Sequence, residues 1–273
     1  IKGPIGPMFL ALTLAGQCVL ARSFVPLLRL RPLPGLALFG ALAAPWFIAI
    51  SYVSDGAFWN ASLGVDMFEK MASAQEKHGA PPGSYLAAIW LTFWPAAMPL
   101  AASLAAIWAG RREAVVQFAL LSLLPTWLIF EALPTKLVHY TLPTYPALAL
   151  LVAYAVQSGV LRRLWPMALA GLLPLGLLAA LVWQAGLLGV SMPLTFWIGA
   201  LAVTLSLGLI LSAARRGAVP LAVALALGGM ALNATIYPTL AGIDALWPSR
   251  PLAAMAANHP DCGFRVAGYA EPS

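Results

Sequence analysis

Glu131-Ala132-Leu133-Pro134-Thr135-Lys136-Leu137-Val138-His139-Tyr140-Thr141-Leu142-Pro143-Thr144-Tyr145-Pro146 sets an acid, a lysine, a histidine and two tyrosines between two apolar runs. Leu120 to Phe130 leads in and Ala147 to Val156 leads out. Charge next to hydrocarbon is costly unless it is used or paired. Pro134, Pro143 and Pro146 interrupt helix here, because proline lacks an N–H and clashes with the preceding turn. The backbone groups so freed need partners at the membrane edge. A helix, a break and a second helix, with Lys, His and Tyr at the break, suit an anionic headgroup. Lys136 supplies a point charge and Tyr140 a hydrogen bond to phosphate. The same residues also fit a snorkelling lysine and an aromatic belt at an ordinary loop.

Outward from that stretch the chain is 62% hydrophobic and 9% charged, which places it among integral membrane proteins. A membrane helix needs about 20 mostly apolar residues. About eight such spans are expected: Pro4–Leu20, Leu33–Ile50, Tyr85–Ala109, Ala114–Phe130, Leu142–Val160, Leu164–Leu187, Leu194–Ala214 and Val219–Leu240. The expected fold class is therefore all-α and polytopic.

The loops between spans alternate in charge. One set holds Arg22, Arg29, Arg31, Arg111, Arg112, Arg162, Arg163, Arg215 and Arg216, with Glu113 its one acid. The other holds Lys2, Lys70, Lys77, Lys136, Arg250 and Arg265 against Asp55, Asp66, Glu69, Glu76, Glu131, Asp244, Asp261 and Glu271. Positive loops stay in the cytoplasm, and strict alternation puts every loop on the side its charge demands. The net charge of +6 is thus accounted for by topology, and nucleic acid is not an expected partner. Cys18 lies in a span and Cys262 in a polar tail, so they are not expected to pair with each other.

Three outside segments carry the polar chemistry: a loop from about Ser51 to Ser84, the stretch quoted above, and a tail from about Ala241 to Ser273. The expected domain division is a transmembrane region over 1–240 and the start of an external soluble domain over 241–273. Within the loop, Leu63, Met67 and Met71 repeat at helical spacing, which suits a helix lying on the membrane surface, with Trp59 at headgroup level. Gln75-Glu76-Lys77-His78 then precedes Gly79-Ala80-Pro81-Pro82-Gly83, a turn before the next span. Glu76, Lys77 and His78 read equally as a solvated turn. The chain has no glycine-rich nucleotide loop and no HExxH or CxxC spacing.

These residues together resemble the bacterial membrane glycosyltransferases of the dolichyl-phosphate-mannose–protein mannosyltransferase and lipid A aminoarabinose transferase type. The likeness rests on Ile1-Lys2-Gly3-Pro4, Ala44-Pro45-Trp46-Phe47, Gln75 to Gly83, Pro134 to Pro143 with Tyr145-Pro146-Ala147, and Gly268-Tyr269-Ala270-Glu271-Pro272-Ser273, in that order. The resemblance implies a GT-C bundle in the bacterial inner membrane, with the long loop and the tail outside. It implies transfer of a sugar from a polyprenyl-phosphate carrier to a lipid, glycan or protein acceptor. It assigns lipid-phosphate binding to Lys136 and Tyr140, with His139 beside them, and the catalytic carboxylate to a loop expected to precede Ile1. No acid of this chain takes that role, so this stretch alone is expected to be inactive.

Relatives carry a Glu-His pair in the external loop that helps hold a metal. The corresponding place here is Asp66-Met67, and methionine is a poor ligand for a hard divalent ion. No metal ligands are assigned and no cofactor is required, a divalent metal staying open. Asp66, Glu76 and His78 are supporting candidates only. The competing class is a secondary transporter. Transporters place ionisable groups near the bilayer midplane, whereas here the charges sit at span ends. Gln17, Gln117 and Asn233 are the polar residues noted within spans.

Overall fold

The computed structural model describes residues 5–59, 80–134, 136–159, 164–243, 246–247 and 249–258. All regular structure among them is helical. In chain order the helices are α1 (Ile5–Ala21), α2 (Val25–Arg29), α3 (Pro32–Val53), α4 (Ala57–Trp59), α5 (Ser84–Thr92), α6 (Ala97–Ala109) and α7 (Ala114–Ala132). A 3-10 turn over Val138–Thr144 follows, and then α8 (Tyr145–Gln157), α9 (Trp165–Leu187), α10 (Leu194–Ala214), α11 (Ala218–Gly242) and α12 (Ser249–Asn258). Helices α3, α7, α9, α10 and α11 are each long and apolar enough to cross a membrane, and α1 and α6 are shorter apolar helices. The chain is an all-α, multi-pass membrane protein.

Solvent explains why these segments are helical. In hydrocarbon every backbone N–H and C=O must be paired within the segment, which an α-helix achieves by itself. Side chains such as Leu33, Leu42, Trp183, Leu194 and Val219 point outward. On a soluble protein such a surface would be an aggregation patch, and against lipid it is matched. Hydroxyls inside the helices are satisfied locally. Thr13, Ser103, Ser122, Thr235 and Thr239 each donate to the carbonyl four residues back, at 2.6–2.9 Å.

Two expected spans are not single helices. Tyr85–Ala109 is divided into α5 and α6, with a turn at residues 93–96 around Pro95. Proline removes one ladder hydrogen bond, collides with the carbonyl four residues earlier and disfavours α geometry in the residue before it. Pro99 sits in the first turn of the new helix, where a missing N–H costs nothing. The span expected over Leu142–Val160 begins as the 3-10 turn, and α8 starts only at Tyr145. The surface helix expected around Leu63, Met67 and Met71 lies outside the described residues, and the external domain expected from 241 falls largely outside them.

The described residues form two compact units. One takes in everything through Ala88 together with Ala109–Leu151, and the other takes in Ile89–Trp108 and the described residues from Val152 onward. In the first, α1 packs on α7, and a Cβ on Gly16 would stand 2.9 Å from Leu121 Cδ2. In the second, Trp94, Met98, Met167, Phe196, Val203, Ile210, Leu221 and Leu232 form one buried cluster. There α10 and α11 pack against each other through small residues, as helices in membranes do when backbones approach closely.

Candidate functional site

The quoted stretch is held together by two side chains that cap two helix ends lying within the first unit. At the end of α7 the last carbonyls have no intrahelical partner. The Lys136 ammonium turns back onto them. Its Nζ donates to the carbonyl oxygens of Phe130 at 3.2 Å, Glu131 at 2.7 Å and Leu133 at 2.8 Å. A cation here also opposes the negative end of the helix dipole. The Lys136 side chain is only 3% exposed, so it does not reach out to solvent as a snorkelling lysine does.

Glu131 does the converse for α5. Its Oε2 accepts from the Gly83 N–H at 2.8 Å and its Oε1 from the Leu86 N–H at 3.0 Å. These are otherwise unpartnered donors at a helix N-terminus, where a carboxylate is favoured. The same Oε2 stands 3.9 Å from Lys136 Nζ, and the Glu131 side chain is 12% exposed. The Glu131 carboxylate therefore joins the C-terminus of α7 to the N-terminus of α5, with Lys136 beside it.

Aromatic rings close the pair in. Lys136 Nζ lies 5.5 Å from the centroid of the Tyr85 ring, within cation–π reach. The Tyr85 hydroxyl donates to the Leu137 carbonyl at 3.1 Å, and its ring meets Trp127 edge-on at 6.4 Å. Through Tyr85 and Lys136, α5 is tied to both sides of the break that precedes the 3-10 turn.

That turn presents the remaining sequence candidates. The Tyr140 N–H bonds the Leu137 carbonyl at 2.9 Å. Its ring packs on Phe130 at 5.5 Å, and His139 stands edge-on to Tyr140 at 5.1 Å. Both residues are half-buried. Among the described residues no hydrogen bond engages the Tyr140 hydroxyl or the His139 imidazole. The structure thus places His139 and Tyr140 on the 3-10 turn and Lys136 at the break just before it, and it adds Glu131, Tyr85 and Gly83. Sequence reading gave these three no role, although the cost of an unpaired acid beside hydrocarbon was a signal for Glu131. Asp66, Glu76 and His78 lie outside the described residues. Among the described residues no three of His, Cys, Asp and Glu gather as metal ligands do.

Gly83 has φ +93°, a left-handed backbone that a side chain strains, and open space surrounds the place its Cβ would take. The penalty of Gly83→Ala is therefore conformational alone, on the order of 1 kcal/mol. It should appear as a small fall in melting temperature and faster amide exchange at residues 83–86. An unchanged exchange rate would mean that the carboxylate does not depend on this geometry.

A second feature of the first unit lies along α3. A groove of about 1300 Å³ is lined by Phe39, Gly40, Ala43, Ala44, Phe47, Ile48, Ser51, Tyr52, Asp55, Gly56 and Trp59. Trp46, Phe47, Phe58 and Trp59 form a ring cluster with centroids 5.0–5.4 Å apart. The Trp59 indole N–H donates to Ser51 Oγ at 2.7 Å. Trp46 and Phe47 of the Ala-Pro-Trp-Phe stretch singled out in the sequence belong to this cluster.

No family model matches the chain, and no solved structure matches it. Among curated proteins it is similar to the undecaprenyl phosphate-alpha-4-amino-4-deoxy-L-arabinose arabinosyl transferase of Pectobacterium carotovorum subsp. carotovorum (strain PC1), with 30% identity over 127 residues. The similarity covers 43% of this chain and 23% of the relative, so the chain spans about a quarter of that protein's length.

Proposed function

We propose that this chain belongs to a membrane glycosyltransferase that takes a sugar from a polyprenyl-phosphate carrier and passes it to a lipid, glycan or protein acceptor. The reaction is placed at the outer face of a bacterial inner membrane. The observation that carries the reading is the helix break at 136–140, which sets a lysine just before a 3-10 turn that carries a histidine and a tyrosine, at the junction of two apolar segments. The partial similarity to an undecaprenyl-phosphate-dependent arabinosyl transferase supports it, and the arginine-rich loops on the opposite side support the placement.

The chemistry follows from the donor. Its leaving group is a lipid phosphate, so positive charge and hydrogen-bond donors near the phosphate stabilise charge that develops in the transition state. Lys136, Tyr140 and His139 are the groups proposed for this end. The acceptor hydroxyl loses its proton to a carboxylate. Glu131 is not proposed as that base, because its carboxylate is engaged in capping the N-terminus of α5. The carrier holds the sugar in activated form, so no nucleotide is needed.

The test is release of polyprenyl phosphate from a panel of polyprenyl-phosphate sugars by the full-length protein in lipid nanodiscs. One donor should be turned over. Tyr140→Phe should lower kcat/KM for it by about 10- to 100-fold, the loss of one hydrogen bond of about 1.5–3 kcal/mol to a charged group. Turnover of no donor would reject the glycosyltransferase reading.

A further inference from the structure

We infer that Lys136 and Glu131 are positioning residues for the proposed phosphate end, which they serve by fixing the 138–144 turn, while direct contact with the phosphate falls to Tyr140 and His139. This rests on the proposed function and assigns roles within it. An ammonium has three N–H donors. In this structure three carbonyl oxygens stand 2.7–3.2 Å from Lys136 Nζ, and the Glu131 carboxylate adds a fourth oxygen neighbour at 3.9 Å. A phosphate could take one of those donors only by displacing a helix-terminal carbonyl. With 3% of the side chain exposed, it would also have to reach a buried nitrogen beside a carboxylate of its own sign.

The Tyr140 hydroxyl and His139 imidazole carry donors that no described residue engages, on half-buried side chains at the adjoining turn. What leads into that turn is a set of hydrogen bonds made by the two residues and by Tyr85. Lys136 secures the end of α7, Glu131 anchors α5 by two N–H groups, and Tyr85 of α5 bonds Leu137, the residue that also accepts the Tyr140 N–H. A displacement at Glu131 is thereby passed to the first turn of the 3-10 segment.

Direct contact and positioning predict opposite results for two conservative variants. Arginine binds phosphate through a planar two-pronged fork, at least as well as lysine does. A fork cannot replace one tetrahedral nitrogen on which three carbonyls converge. If Lys136 touches phosphate, Lys136→Arg keeps the affinity, and Glu131→Gln raises it by removing a competing carboxylate. If Lys136 positions, both variants weaken binding.

The experiment measures the Kd of undecaprenyl phosphate, used as the probe, for monodisperse full-length protein in nanodiscs, and hydrogen exchange at the amides of 138–144 without the probe. Both variants should bind about tenfold more weakly, equivalent to about 1.4 kcal/mol, and exchange faster over 138–144. Retained affinity in Lys136→Arg together with tighter binding in Glu131→Gln would overturn the inference. So would unchanged exchange in both. If the wild-type protein does not bind the probe, the proposed function fails at the donor, and the exchange measurement alone decides whether the pair holds the turn.

Discussion

Gly199→Leu is expected to separate α10 from α11 and to lower the melting temperature of the protein in detergent sharply. A Cβ on Gly199 would stand 2.9 Å from both Cβ and Cγ2 of Thr235 and would overlap its Oγ1. Thr235 cannot turn aside without cost. It is 2% exposed, and its hydroxyl donates to the Ala231 carbonyl at 2.7 Å. The backbones must move apart instead, and contact is lost along the pair. Overpacking a filled interface by a methyl costs roughly 1–3 kcal/mol, so Gly199→Ala should already be measurable and leucine should be worse. Gly208 on the same helix is the control, because nothing lies within 4 Å of the place its Cβ would take. Gly208→Leu should melt like wild type. Equal melting of the two leucine variants would show that α10 and α11 do not pack through Gly199.

Lys136→Met should cost about 3 kcal/mol, because removing one partner of a buried pair strands the other. Three carbonyls at the end of α7 lose their donor, and the Glu131 carboxylate loses the ammonium 3.9 Å away. For a domain of this size that corresponds to a fall of about 5–10 °C in melting temperature. Adding Glu131→Gln should cost less than its effect in the wild-type background, because the charge it removes is already unpaired. A fall of less than about 1 °C on Lys136→Met would mark an exposed anchor, since surface ion pairs contribute about 0–1 kcal/mol. Additive losses in the double variant would show that the two residues act separately.

Much of the fold was legible in the sequence because membrane solvent restricts the options. Runs such as Leu194 to Ala214 and Ala218 to Gly242 are too long and apolar for anything but a helix in lipid, and each appears as one. Proline was a weaker guide. Pro45, Pro125, Pro174 and Pro238 all sit inside continuous helices, whereas α5 and α6 are divided at Pro95. A proline beyond the first turn weakens the ladder by one bond, and packing decides whether the helix survives the loss. The start of α8 was misplaced for a related reason. Leu142 and Pro143 extend the apolar run, but they belong to the 3-10 turn.

For the site, composition and spacing along one chain were enough to gather an acid, a lysine, a histidine and a tyrosine at a helix break beside hydrocarbon. They also required that the charges be paired or used, since stranding them there is costly. Which of the two holds for each charge was left to the packing of the helices. The partners of Glu131 are the amides of Gly83 and Leu86, 48 and 45 residues away in sequence. Orphan groups at helix ends are alike in every helix. No local pattern can say which end meets which side chain, and that choice is made when α5 and α7 bring their termini together.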